Sequence, residues 1–157
     1  MCEEGVEKIA IKRVKKKDKL LMGQIDGNTY NGPENRIWLF DGKFTTGYRI
    51  VEFSVVDKNP TTGVELIAKL STEPKSNVTA WDWGDIEEVA WASFGAPNNN
   101  VPEVDFIRDD AMIIEDLWIG NYNGSDNREV NYRIKLEAYE FPAWDGAGVM
   151  VINQSQS

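Results

Sequence analysis

From Gly47 to Asp57 the chain reads Gly-Tyr-Arg-Ile-Val-Glu-Phe-Ser-Val-Val-Asp. Aromatic and β-branched residues of this kind fit a pleated, half-buried surface, and no apolar repeat at i, i+3, i+4 competes with that reading. The stretch predicts a strand, with Val51, Phe53 and Val55 on one face. Asn59-Pro-Thr-Thr-Gly63 follows as a turn of hairpin length. Beyond it Val64, Leu66, Ala68 and Leu70 alternate with Glu65, Ile67, Lys69 and Ser71. Residues 47–72 therefore predict a β-hairpin.

The same patterns extend outward. Met112–Ile119 predicts a strand. Glu129–Phe141 predicts another, because Val130, Tyr132, Ile134 and Leu136 alternate with Asn131, Arg133, Lys135 and Glu137. The polar tip between them makes a second predicted hairpin. Ile37-Trp-Leu-Phe40, closed by Asp41-Gly42, predicts a short buried strand. Ile86–Phe94 suits a strand, with a short helix as the alternative. Turn residues around Asp26-Gly27 and Gly32-Pro33 predict a loop over 22–35, and Gly95–Pro102 predicts a long surface loop. Val6–Val14 suits an edge strand or an extended arm laid along a partner, ended by Lys15-Lys16-Lys17. After Pro142, a segment holding Trp144, Val149, Met150 and Ile152 predicts a C-terminal helix of two or three turns, weakened by its glycines. Seven or eight strands without alternating amphipathic helices predict an all-β, antiparallel β-sandwich of jelly-roll type. Its expected limits are a basic N-terminal arm, residues 1–19, and one domain, residues 20–157.

Composition narrows the chemistry. The 157 residues are 41% hydrophobic and 27% charged, which suits one folded core. Histidine is absent, which excludes Ser-His-Asp and Cys-His mechanisms, while carboxylate-only glycoside hydrolysis survives. Cys2 is the single cysteine, so no intrachain disulfide, CxxC pair or multi-cysteine zinc site can form. No apolar run approaches a membrane span, and the N-terminus lacks a basic segment followed by an apolar one. The expectation is a protein made in the cytoplasm without a signal peptide.

Charge is split unevenly. The chain carries −9 overall, yet residues 1–19 hold seven basic side chains against four acidic ones, leaving −12 on the remainder. An acidic body disfavours a broad nucleic-acid surface. Lys12, Arg13, Lys15, Lys16, Lys17 and Lys19 are instead expected to dock on the acidic body of a neighbouring copy or on another acidic protein.

Acidic clusters invite two further readings. Asp82, Asp85, Glu87 and Glu88 lie beside Trp81 and Trp83, which suits a glycosidase acid pair with sugar-stacking rings, a calcium site, or a solvated loop. Asp105, Asp109, Asp110, Glu115 and Asp116 suit a hard cation or a charged strand edge that resists aggregation. The structural readings are preferred for both, so no catalytic residue, metal or cofactor is assigned. Of the six tryptophans, Trp38, Trp91 and Trp118 sit in apolar runs and are expected in the core. Trp81, Trp83 and Trp144 lie near loops and are expected at protein contacts.

Gly47-Tyr-Arg-Ile-Val-Glu-Phe, Ile114-Glu-Asp-Leu-Trp-Ile, Val130-Asn-Tyr-Arg-Ile-Lys-Leu-Glu-Ala-Tyr-Glu and the ending Asn153-Gln-Ser-Gln carry a resemblance. In these segments the chain resembles uncharacterised virion-associated proteins of marine tailed phages such as cyanophages. The resemblance implies a non-enzymatic structural protein of the virion, of capsid decoration, cement or appendage type. It further implies a homo-oligomer that docks on other virion proteins such as the major capsid protein. The rival reading is a carbohydrate-binding or host-receptor-binding β-sandwich, which asks for Trp81, Trp83 and Trp144 in an exposed coplanar row. A hydrolase would ask for two acids converging in a pocket.

Overall fold

A computed structural model of the protein describes residues 11–26, 35–42, 44–60, 65–95, 104–123 and 129–141. Among them the chain is all-β. Its strands are β1 (Lys12–Arg13), β2 (Lys19–Ile25), β3 (Arg36–Ile37), β4 (Thr46–Asp57), β5 (Leu66–Ser71), β6 (Glu88–Phe94), β7 (Asp105–Ile107), β8 (Leu117–Tyr122) and β9 (Val130–Glu140). A 3₁₀ turn spans Lys15–Lys17. Every pairing is antiparallel.

In sheet one β9 is central. β4 runs along one side of it from Thr46 to Asp57, and β1 and β2 share the other side. Sheet two has the order β3-β8-β5-β6-β7. Alternation explains both layers. Val130, Ile134, Leu136 and Ala138 on β9 turn inward with Ile50, Phe53 and Val55 on β4. They meet Leu66, Ala68 and Leu70 of β5, Ala90 and Ala92 of β6, and Leu117 and Ile119 of β8 in one core. Sheet one is also tied to the segment that leads into β8, where Tyr48 and Ile113 exchange backbone hydrogen bonds of 2.8 and 2.7 Å.

Several sequence expectations are corrected. Neither predicted hairpin forms: β4 pairs with β9, whereas β5 pairs with β6 and β8, so the 47–72 segment crosses from one sheet to the other. β8 and β9 are likewise in different sheets. A turn reverses the chain but does not choose its partner. Here the apolar faces of successive strands meet across the core instead of side by side. The inward face of β4 is Ile50, Phe53 and Val55, because the register shifts opposite Lys135 and Leu136 and leaves Val51 40% exposed. Residues 22–25, expected in a loop, continue β2. The strand expected within 86–94, by contrast, is present at Glu88–Phe94. Of the predicted 37–40 strand only Ile37 is paired, together with Arg36 before it. The predicted C-terminal helix, with Trp144, lies outside the described residues.

Candidate protein-contact site

The basic segment is built into sheet one. Arg13 and Lys12 pair with Tyr139 and Glu140 of β9, and the Val14 N–H donates to the Ala138 carbonyl at 2.9 Å. The chain then leaves the ladder for the 3₁₀ turn at Lys15–Lys17 and rejoins it at Lys19. Asp18 fills the gap. Its carboxylate accepts the Ala138 N–H at 2.9 Å and both Arg13 guanidinium donors at 2.6 and 2.7 Å. The Arg13 bond, with help from Ala138, holds the Asp18 carboxyl below the usual carboxylate range. Residues 11–19, expected as part of an arm beyond the domain, thus form a fixed edge of it.

That edge presents charge. Lys17 pairs with Glu140, and Arg13 with Asp18 and, at 3.6 Å, with Glu137. Lys19 lies 6.0 Å from the Tyr48 ring centroid. Among the described residues Lys12, Lys15 and Lys16 have no ion pair, and all three are exposed. The charge of these three lysines is therefore available to a partner, whereas Arg13 and Lys17 are committed to the fold.

Residues 36–42 lead from β3 toward the same end of sheet one, and Asp116 holds them. Asp116 accepts from the Leu39 and Phe40 N–H groups at 2.7 and 3.0 Å and from the Arg36 guanidinium, with Nε at 2.8 Å. Arg36 in turn lies 3.8 Å from the centroid of Trp38 and 5.3 Å from that of Trp118. Trp38, expected in the core, is 72% exposed, because β3 ends at Ile37 and the next residues turn out over Arg36. Phe40 is 38% exposed and packs on Phe44 at 4.9 Å. Sequence reading missed this pair. A tryptophan in an apolar run looks like core, and the clue that it is not was the nearby Asp41-Gly42.

Trp81 and Trp83 lie on the outer side of sheet two with Trp91 and Phe106. Trp83, 56% exposed, meets Trp91 at 5.7 Å and Phe106 at 5.2 Å, with ring planes 51° and 63° apart; Trp81 meets Phe106 at 6.3 Å and 74°. Edge-to-face and tilted contacts of this kind stabilise such a cluster, and Trp144, the third ring of the expected row, lies outside the described residues. Beneath it Trp91 is buried, as expected, and its indole N–H donates to Glu88 at 2.9 Å.

Four of the acidic residues weighed in the sequence, Asp85, Glu87, Glu88 and Asp116, are held in ion pairs. Lys69 binds Glu88 at 2.7 Å, Lys75 binds Asp85 at 2.9 Å and Glu87, and Arg36 binds Asp116. Among the described residues no three histidine, cysteine, aspartate or glutamate side chains converge as a metal would require. A cleft of about 520 Å³ opens where β4 faces β6 and β7, lined by Val55, Phe94, Tyr132, Asp105 and Arg133 among others. Asp105 is the one carboxylate among the described residues of its lining. No protein-family model matches the chain, and no curated protein or solved structure is significantly similar to it.

Proposed function

We propose that the protein is a non-enzymatic structural component of a virion, a jelly-roll-type β-sandwich of decoration, cement or appendage class. It assembles with copies of itself and docks on acidic surfaces of other virion proteins such as the major capsid protein. The observation that carries the docking step is the fixed edge on which Lys12, Lys15 and Lys16 have no ion pair among the described residues, on a chain whose residues beyond 19 sum to −12. Opposed potentials of this kind steer association and fix register, and a preordered edge loses little entropy on binding. The virion setting rests on the resemblance of the strand segments to phage proteins.

Co-sedimentation with assembled, DNA-free cyanophage capsid shells tests the reading. The protein should pellet with the shells at low salt and be released at high salt. The triple variant Lys12→Glu, Lys15→Glu, Lys16→Glu should stay in the supernatant. Equal pelleting of both proteins, or of neither, would count against it.

A further inference from the structure

One end of the molecule carries unpaired charge of both signs. On the side of sheet one it is Lys12, Lys15 and Lys16. On the side of sheet two it is Glu73 and Glu115, both exposed and without an ion pair among the described residues. That these lie at the same end follows from the registers. Glu140 of β9 pairs with Lys12 and with Thr46 of β4, while Ser71 of β5 pairs with Trp118 of β8 and with Glu88. The Tyr48–Ile113 bridge and the hold of Asp116 on Leu39 and Phe40 tie the two sets together. Glu73 is held above the usual carboxylate range by partial burial and then by repulsion from Glu87 and Glu115, against the opposing pull of Lys75. The acidic side is thus short of cations just as the basic side is short of anions.

Trp38 and Phe40 lie on the segment between these two sides. Asp116 holds the N–H groups of Phe40 and of Leu39 next to Trp38, and Arg36 lies over the Trp38 ring, so both rings are presented without a large ordering cost. An aromatic centre flanked by opposite charges is complementary to itself after a half-turn, which is what an isologous contact requires. Tryptophan at the middle of such a patch, stacked on an arginine, is the residue type that most often dominates binding energy.

We propose that this end is a two-fold interface between copies of the chain. Trp38 and Phe40 of each copy pack against those of the other, and Lys12, Lys15 and Lys16 of each face Glu73 and Glu115 of the other. The inference rests on the assembly reading above and names the first partner as a second copy, so the lysine edge serves two contacts in turn: it faces the second copy in the free protein and an acidic virion surface once docked.

Charge-swap complementation tests it, with mass read by light scattering. The 17.8 kDa chain should give twice that mass. The triple Lys→Glu variant and the double variant Glu73→Lys, Glu115→Lys should each be monomeric, since like charges then face each other in both halves. An equimolar mixture should recover the doubled mass. Trp38→Ala, which changes no charge, should weaken self-association at least tenfold. The proposal is overturned if the unaltered chain is monomeric, if the single-sided variants keep its mass, or if the mixture stays monomeric. A monomer that still pellets with capsid shells through its lysines would sink the two-fold contact and leave the docking function standing.

Discussion

Lys69 Nζ donates to Glu88 Oε2 at 2.7 Å with both side chains 3% exposed, on the face of β5 and β6 turned away from the core. Lys69 also donates to the Ala80 carbonyl, and Glu88 Oε1 accepts from the Asp82 N–H and the Trp91 indole. The pair is therefore the clasp that holds residues 80–82, and with them Trp81 and Trp83, against sheet two.

Breaking one side of that clasp leaves a buried charge without its partner. Lys69→Met should cost about 3–5 kcal/mol, the range for removing one member of a buried pair. Adding Glu88→Leu should recover much of the loss, because no charge then remains buried. Equilibrium urea unfolding reads both. A Lys69→Met loss below 1 kcal/mol would show that the pair is solvated and the clasp open.

Acid should loosen the end that carries Trp38. Burial pushes the Asp116 carboxyl up, but the Phe40 and Leu39 N–H groups and Arg36 outweigh it and hold the carboxyl below the usual range. A depressed folded pKa means the stabilisation is fully present above the unfolded value of about 3.9 and is lost as pH falls through the folded one. The difference in stability between the unaltered chain and Asp116→Asn should therefore be constant from pH 7 to pH 5 and shrink below about pH 4. A difference that does not change down to pH 2 would contradict the assignment.

Gly23 of β2 lies opposite Tyr132, and a Cβ built on it would sit 2.6 Å from the phenol oxygen and 2.7 Å from Cζ. The ring covers the glycine, filling the space a side chain would take. Gly23→Ala should force the ring off this position and destabilise the protein by about 1–3 kcal/mol. In the background Tyr132→Ala the same substitution should be neutral or mildly stabilising, since alanine suits a strand interior better than glycine. Equal losses in the two backgrounds would mean that the ring is not the obstacle.

What the sequence made legible was local. Period-two alternation located most of β4, β5 and β9, because it follows from the pleat alone. Strand partners were not legible, since Asn59–Gly63 marks a reversal whether the chain returns beside itself or crosses to the other sheet. Among the site residues, the lysines of 12–19 stand out by charge, but whether they ride on a loose arm or a fixed edge depends on Asp18 meeting Ala138, 120 residues away. Trp83 was placed at the surface correctly. Trp38 was not, because its exposure is set by Arg36 and Asp116, which no short-range pattern connects.

The bulge in β4 gives the sharpest test of register. Strict alternation would bury Val51 with Phe53 and Val55, and would leave Ile50 on the outer face. The structure instead pairs Leu136 with Ile50 and Lys135 with Glu52, so that Val51 is extra and Ile50 joins the core at 2% exposure. The two residues are neighbours of similar size and chemistry, so only their placement can separate them. Ile50→Ala should cost about 2–5 kcal/mol by leaving a cavity, whereas Val51→Ser should stay within about 0.5 kcal/mol. Without the bulge the order would invert. A larger loss at Val51 in denaturant unfolding would restore the simple alternation and move the outer face of β4 by one residue, from Thr46 to the shift.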